Sequence, residues 1–118
     1  MPTSHQIRMS SVSPDDWEPF PIEDVIHGDP QGRVHWLHQE EGDDRMLLVG
    51  VFAAQPARFP YTSMGDETLH VLEGRVTIEV DGVEPVELAA GDVVSFEKGL
   101  ASTWEIHEPF KEFFVLSD

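Results

Sequence analysis

Cysteine is absent from the 118 residues. Its absence excludes a disulfide framework, a thiolate zinc site and a cysteine nucleophile, so packing and hydrogen bonds must carry the stability. Positive charge is scarce: 7 Lys and Arg face 23 Asp and Glu, a formal net charge of −16. A surface of that sign repels phosphate backbones and anionic headgroups, so neither nucleic acid nor a membrane surface is an expected partner. Long apolar runs are missing too, since none approaches the roughly 20 residues that span a bilayer. Met1 to Ser13 carries no apolar core behind positive charge, the mark of a secretory signal, and a cytoplasmic protein is therefore expected.

What is present is frequent punctuation. The 9 Gly and 9 Pro are spread between short apolar stretches, as turns separate strands. The length suits one domain, 1–118, with an N-terminal arm over 1–20. In that arm Ser13-Pro14-Asp15-Asp16-Trp17 predicts at most one helical turn, capped by Ser13 and stopped by Pro19 and Pro21. Val34 to Leu37 predicts a short strand, and Gln39 to Asp44 an acidic, solvated loop. Met46 to Phe52 is apolar on both faces, as in a strand buried between layers.

Further strands are expected over 68–72, 76–80, 86–88, 93–96, 103–106 and 113–116, with turns at Glu73-Gly74, Asp81-Gly82, Ala90-Gly91-Asp92 and Lys98-Gly99. Pro85 marks an edge or a strand start. Eight or nine short strands with hardly any helical periodicity point to an all-β sandwich or barrel.

Two stretches carry a family resemblance. In Gly65-Asp66-Glu67-Thr68-Leu69-His70-Val71-Leu72-Glu73-Gly74-Arg75-Val76, six residues separate Glu67 from Gly74; Gly91-Asp92-Val93-Val94-Ser95-Phe96-Glu97-Lys98-Gly99 opens a strand with a Gly-Asp turn and ends at another glycine. These resemble the two cupin motifs, within roughly 46–116, and imply a cupin-type β-barrel, the double-stranded β-helix or jelly roll. Ser102-Thr103-Trp104-Glu105-Ile106, followed by Lys111, is similar to the small single-domain cupins grouped with (S)-ureidoglycine aminohydrolase and ethanolamine-utilisation proteins. That branch implies a homodimer paired through sheet edges, which would also hide edges open to aggregation.

The departures bear on chemistry. Where metal-binding cupins place two histidines this chain has Pro60 and Thr62, or Tyr61 and Ser63 if the gap is one shorter; Ser102 stands for the third, and Glu97 replaces the second motif's proline. Of the ligand set the resemblance implies, only Glu67 survives. One carboxylate does not hold a transition metal, so no metal or other cofactor is expected. The histidines do not repair the loss on local spacing, and only folding could bring His107 or His35 near Glu67 to bind a metal weakly. His70 follows Glu67 by three residues, which puts the two on opposite faces of a strand, and His35 and His38 have the same odd spacing.

If Glu67 points inward, period two carries Leu69 and Val71 with it, and an inward Ser102 carries Trp104 and Ile106. The expected interior is apolar with a few placed polar groups, as in small-molecule sites. The ligand-binding candidates are Tyr61, Glu67, Ser102, Trp104, Phe59 and Lys111, with Phe96 at the rim and Glu67 as the candidate catalytic acid or base. Each has a plainer role open to it. Glu67 could accept hydrogen bonds from Tyr61, Ser102 or the Trp104 indole and fix the wall, Trp104 could fill the core, and Lys111 could be solvated or pair with Glu105 or Glu67. Three functions stay open: a binder of a small organic metabolite, a hydrolase or isomerase of a nitrogenous or carbonyl metabolite, and a non-catalytic dimer.

Overall fold

The computed structural model describes residues 7–118; the first six residues of the Met1 to Ser13 stretch lie outside the described residues. Among the described residues there is no helix, and eleven strands form two antiparallel sheets. The six-stranded sheet runs β1 (Glu18–Pro19), β3 (Arg33–Glu41), β4 (Met46–Ala54), β11 (Phe110–Ser117), β6 (Asp66–Glu73), β9 (Val93–Phe96). The five-stranded sheet runs β2 (His27–Gly28), β5 (Ala57–Thr62), β10 (Ala101–Ile106), β7 (Arg75–Glu79), β8 (Val86–Ala89). From β4 onward the chain passes repeatedly between the sheets, the winding of a jelly roll.

Alternation decides which side chains meet inside. Along β11, Phe110, Glu112, Phe114 and Leu116 are buried while their neighbours are half-exposed. The β6–β11 register sets Leu116 opposite Glu67, Phe114 opposite Leu69 and, past a bulge at Lys111/Glu112, Glu112 opposite Val71. In the other sheet Phe59 and Ile78 flank Trp104. The core joins Val34, Leu69, Val71, Val76, Ile78 and Ile106 from both sheets. Burying each such side chain stabilises by about 1.5–3 kcal/mol.

Turn chemistry sets the corners. Gly74, between β6 and β7, has φ +85°, and a Cβ there would lie 2.4 Å from the Pro109 carbonyl oxygen. Only glycine meets both demands without strain. At Asp81-Gly82 the Val83 N–H donates to the Val80 carbonyl at 3.1 Å, closing the β7–β8 hairpin. Pro85 precedes β8, an edge strand.

The structure corrects the sequence reading in four places. No helical turn follows Pro14. The Trp17 ring instead lies under the Arg33 guanidinium, 4.6 Å from its centre, and Glu18–Pro19 pairs with β3 as a short strand. The acidic loop is shorter than expected because β3 continues through Glu41. β5 was not expected: although Pro60 stands opposite Thr103 of β10, its missing N–H falls on the other side of the strand, like the Arg58 carbonyl that accepts from Ile26, where β2 covers only Ala57 and Arg58. Finally, a bulge between Trp36 and His38 sets His35 opposite Val51 and His38 opposite Val49, which returns the two histidines to one face.

Candidate functional site

Between the sheets lies a cavity of about 460 Å³. Its walls are largely aromatic, with Trp36, Phe52, Phe59, Trp104 and Phe114 supplying rings from β3, β4, β5, β10 and β11. Phe20 to Asp24, just after β1, contribute part of the lining, held by a Phe20–Phe52 edge contact at 5.8 Å and a Phe20 N–H bond to the Gly32 carbonyl at 2.8 Å. Into this space project Tyr61 from β5, Glu67 from β6 and Glu112 from β11.

Tyr61 and Glu67 form a bonded pair. The Tyr61 hydroxyl donates to Glu67 Oε1, and the Ser63 hydroxyl, which donates to the Gly65 carbonyl at 2.7 Å, stands 3.3 Å from the same oxygen. Glu67 is only 5% exposed. Burial pushes its carboxyl above the usual carboxylate range, while the bonds from Tyr61 and Ser63 pull the other way. Burial and the neighbouring Glu67 charge hold the Tyr61 proton far more tightly than in an ordinary tyrosine.

Glu112 has no such support. It is 3% exposed, and its Oε1 has no hydrogen-bond partner among the described residues. Burial first, and the Glu67 charge second, push its carboxyl well above the usual range. The protein thus sets two carboxyls facing one apolar space, one anchored and one not. Sequence reading did not find Glu112, because the last strand was begun at Phe113; begun at Phe110, the alternation through Glu112 to Leu116 would have turned it inward.

The expected site residues separate into two groups. Tyr61, Glu67, Trp104 and Phe59 line the cavity together. Phe96 lies behind, its ring 6.3 Å from that of Trp104. Ser102 is occupied: its hydroxyl donates to the Tyr61 carbonyl at 2.9 Å and accepts from Trp104 Nε1 at 3.1 Å, so it buttresses the wall and does not reach Glu67. Lys111 stands outside the cavity. It alternates with inward Phe110 and Glu112, and its ammonium meets Glu73 at 2.8 Å and the Ser13 hydroxyl at 3.2 Å, away from Glu67 and Glu105.

The metal question turns on donors. Pro60 and Thr62 line the cavity without offering a strong ligand, and among the described residues no histidine lines it. The described histidines lie elsewhere, His35 with Asp16, His38 with Glu40, His27 with Glu105 and His107 with Thr77, while His70 is exposed. Among the described residues no three His, Asp or Glu side chains converge on one point. The residues present do not fit a transition-metal centre of the three- or four-ligand kind.

Comparison with known proteins agrees with this architecture. The EutQ-like cupin domain model matches residues 41–114. The fold is similar to that of the EutQ protein of Clostridium difficile, at 22% identity and TM-score 0.62 over 73% of this chain and 61% of that one. A DUF861 family protein from Thermotoga maritima aligns at 27% identity and TM-score 0.54, over 56% of this chain and 75% of that one. A protein of unknown function from Pseudomonas syringae pv. tomato, of the same DUF861 family, aligns at 21% identity and TM-score 0.74, over 85% of this chain and 43% of that one. The chain thus spans less than two thirds of the Clostridium and Pseudomonas proteins. No curated protein matches it.

Proposed function

The chain belongs to the EutQ-like cupin family, and on that premise we propose that its barrel holds a small organic molecule against the Tyr61–Glu67 pair. The observation that carries this reading is the cavity of about 460 Å³, walled by rings, into which three polar groups converge. Small-molecule sites have volumes of roughly 300–1,000 Å³ and this mixture of apolar surface with a few placed polar groups. A plain core offers a poor alternative account of Glu112. An unpartnered buried oxygen costs about 1–3 kcal/mol that an apolar residue would not incur.

A thermal-shift screen of metabolites against the purified protein tests the reading. A ligand whose stabilisation is lost in both Glu67→Ala and Trp104→Ala supports it. Hits that stabilise both variants as well as the parent would remove this site from the binding.

One observation favours a second, enzymatic reading. Two carboxyls that face one apolar space, both with raised affinity for protons, are suited to giving and taking a proton. In a hydrolase or isomerase of a small nitrogenous or carbonyl metabolite, Glu67 would be the acid or base and Tyr61 would orient it. A pH profile of turnover left unmoved by Glu67→Gln would remove Glu67 from the chemistry.

A further inference from the structure

Among the described residues, every ionisable side chain lining the cavity is an acid: Glu23 and Asp24 from the segment after β1, and Tyr61, Glu67 and Glu112 from the strands. Among the described residues, lysine, arginine and histidine are absent from the lining. The cations of the neighbouring strands are engaged outside it, Lys111 with Glu73, Arg58 with Glu79 and Glu105, and Arg33 over Trp17. An anionic ligand entering here would meet no cationic side chain among the described lining residues, on a chain whose formal net charge is already −16.

We infer that the cavity takes an organic cation, an amine on an apolar body, with its ammonium group between Glu67 and Glu112; this rests on the small-molecule reading above. Three features converge on that class. Glu112 Oε1 is a buried acceptor with no donor among the described residues, and an N–H of the ligand supplies one. A charged donor makes the stronger bond to it, since hydrogen bonds between ionised groups are roughly twice as strong as neutral ones. The rings of Trp36, Phe52, Phe59, Trp104 and Phe114 line the space, and aromatic rings both attract a cation and pack an apolar body.

The arrangement also explains why the two acids differ. Tyr61 and Ser63 hold Glu67 in place before the ligand arrives, whereas Glu112 completes its bonding only with the ligand. Burial favours the protonated form of both acids and an arriving ammonium favours the ionised form, so binding should release protons to solvent. Those protons come from Glu67 or Glu112, with Tyr61 and the cavity-lining Glu23 and Asp24 as the other titratable groups facing the ligand.

Titration calorimetry with 2-phenylethylamine, 2-phenylethanol and 3-phenylpropionate tests the class. The amine should bind at least about tenfold more tightly than the alcohol, and the carboxylate should not bind. Glu112→Gln, of the same volume, should reduce that preference about tenfold or more while leaving the alcohol unchanged, which also reports that the variant is folded. Alcohol or carboxylate binding as tightly as the amine, with Trp104→Ala abolishing it, would overturn the cation and leave the small-molecule reading intact. No binding by any of the three would count against both. Displacement of the amine by manganese(II) alone would give the carboxyl pair to a metal and overturn the inference.

Discussion

Replacing Glu112 by glutamine should change how stability depends on pH more than it changes stability at any one mildly acidic pH. Glu112 is buried, its Oε1 has no partner to lose, and glutamine keeps its shape, so near pH 5 the two proteins should differ by no more than about 1 kcal/mol. Above that the parent has at position 112 a proton at stake that the variant lacks, while the Glu67 carboxyl, also raised by burial, is present in both. The folded carboxyl binds its proton more tightly than the unfolded one, so its contribution is complete below the unfolded value and is lost as pH rises through the folded value. While the folded group stays protonated, the parent loses up to about 1.4 kcal/mol per pH unit that the variant keeps. Glu79, lowered chiefly by its bond from Arg58, works in the opposite sense, losing its contribution as pH falls; it is common to both proteins and cancels in the difference. Urea denaturation followed by tryptophan fluorescence at pH 5.5, 6.5 and 7.5 gives that difference. Stability curves that stay parallel, or a variant that loses ground as pH rises, would refute the burial of an unsupported acid.

Other substitutions probe the surroundings. Tyr61→Phe removes the donor to Glu67 Oε1 and should cost about 1–3 kcal/mol, more at pH 8 than at pH 6 because the bond holds the Glu67 carboxyl down; urea denaturation at both pH values reads this. Gly74→Ala combines φ +85° with a Cβ 2.4 Å from the Pro109 carbonyl oxygen, and should lower the urea midpoint by the equivalent of about 1 kcal/mol or more. Lys111→Met should leave the affinity of any cavity ligand unchanged in calorimetry and cost at most about 1 kcal/mol, because its ammonium serves Glu73 on the outer face.

Much of this architecture was legible from spacing. The turns at Glu73-Gly74, Asp81-Gly82, Ala90-Gly91-Asp92 and Lys98-Gly99 require backbone conformations that glycine adopts at low cost, and each of those glycines has positive φ. Period two correctly carried Leu69 and Val71 inward with Glu67, and Ile106 with Trp104. The parts that were not legible depend on contacts between distant segments. β1 and β2 have two residues each and exist because β3 and β5 offer partners. The side-chain orientation of His38 depends on a bulge that no local residue announces. Glu112 is the exception, since the alternation from Phe110 to Leu116 already places it; the polar pair Lys111-Glu112 obscured a strand that begins two residues before it.

A ligand found by the screen, co-crystallised with the protein, tests the central claim most directly. The expected result is density between the sheets, packed against Trp104 and within hydrogen-bond distance of Glu67 or Glu112. Density confined to the outer surface, or a barrel interior closed by its own side chains around Tyr61 and Glu67, would contradict the account.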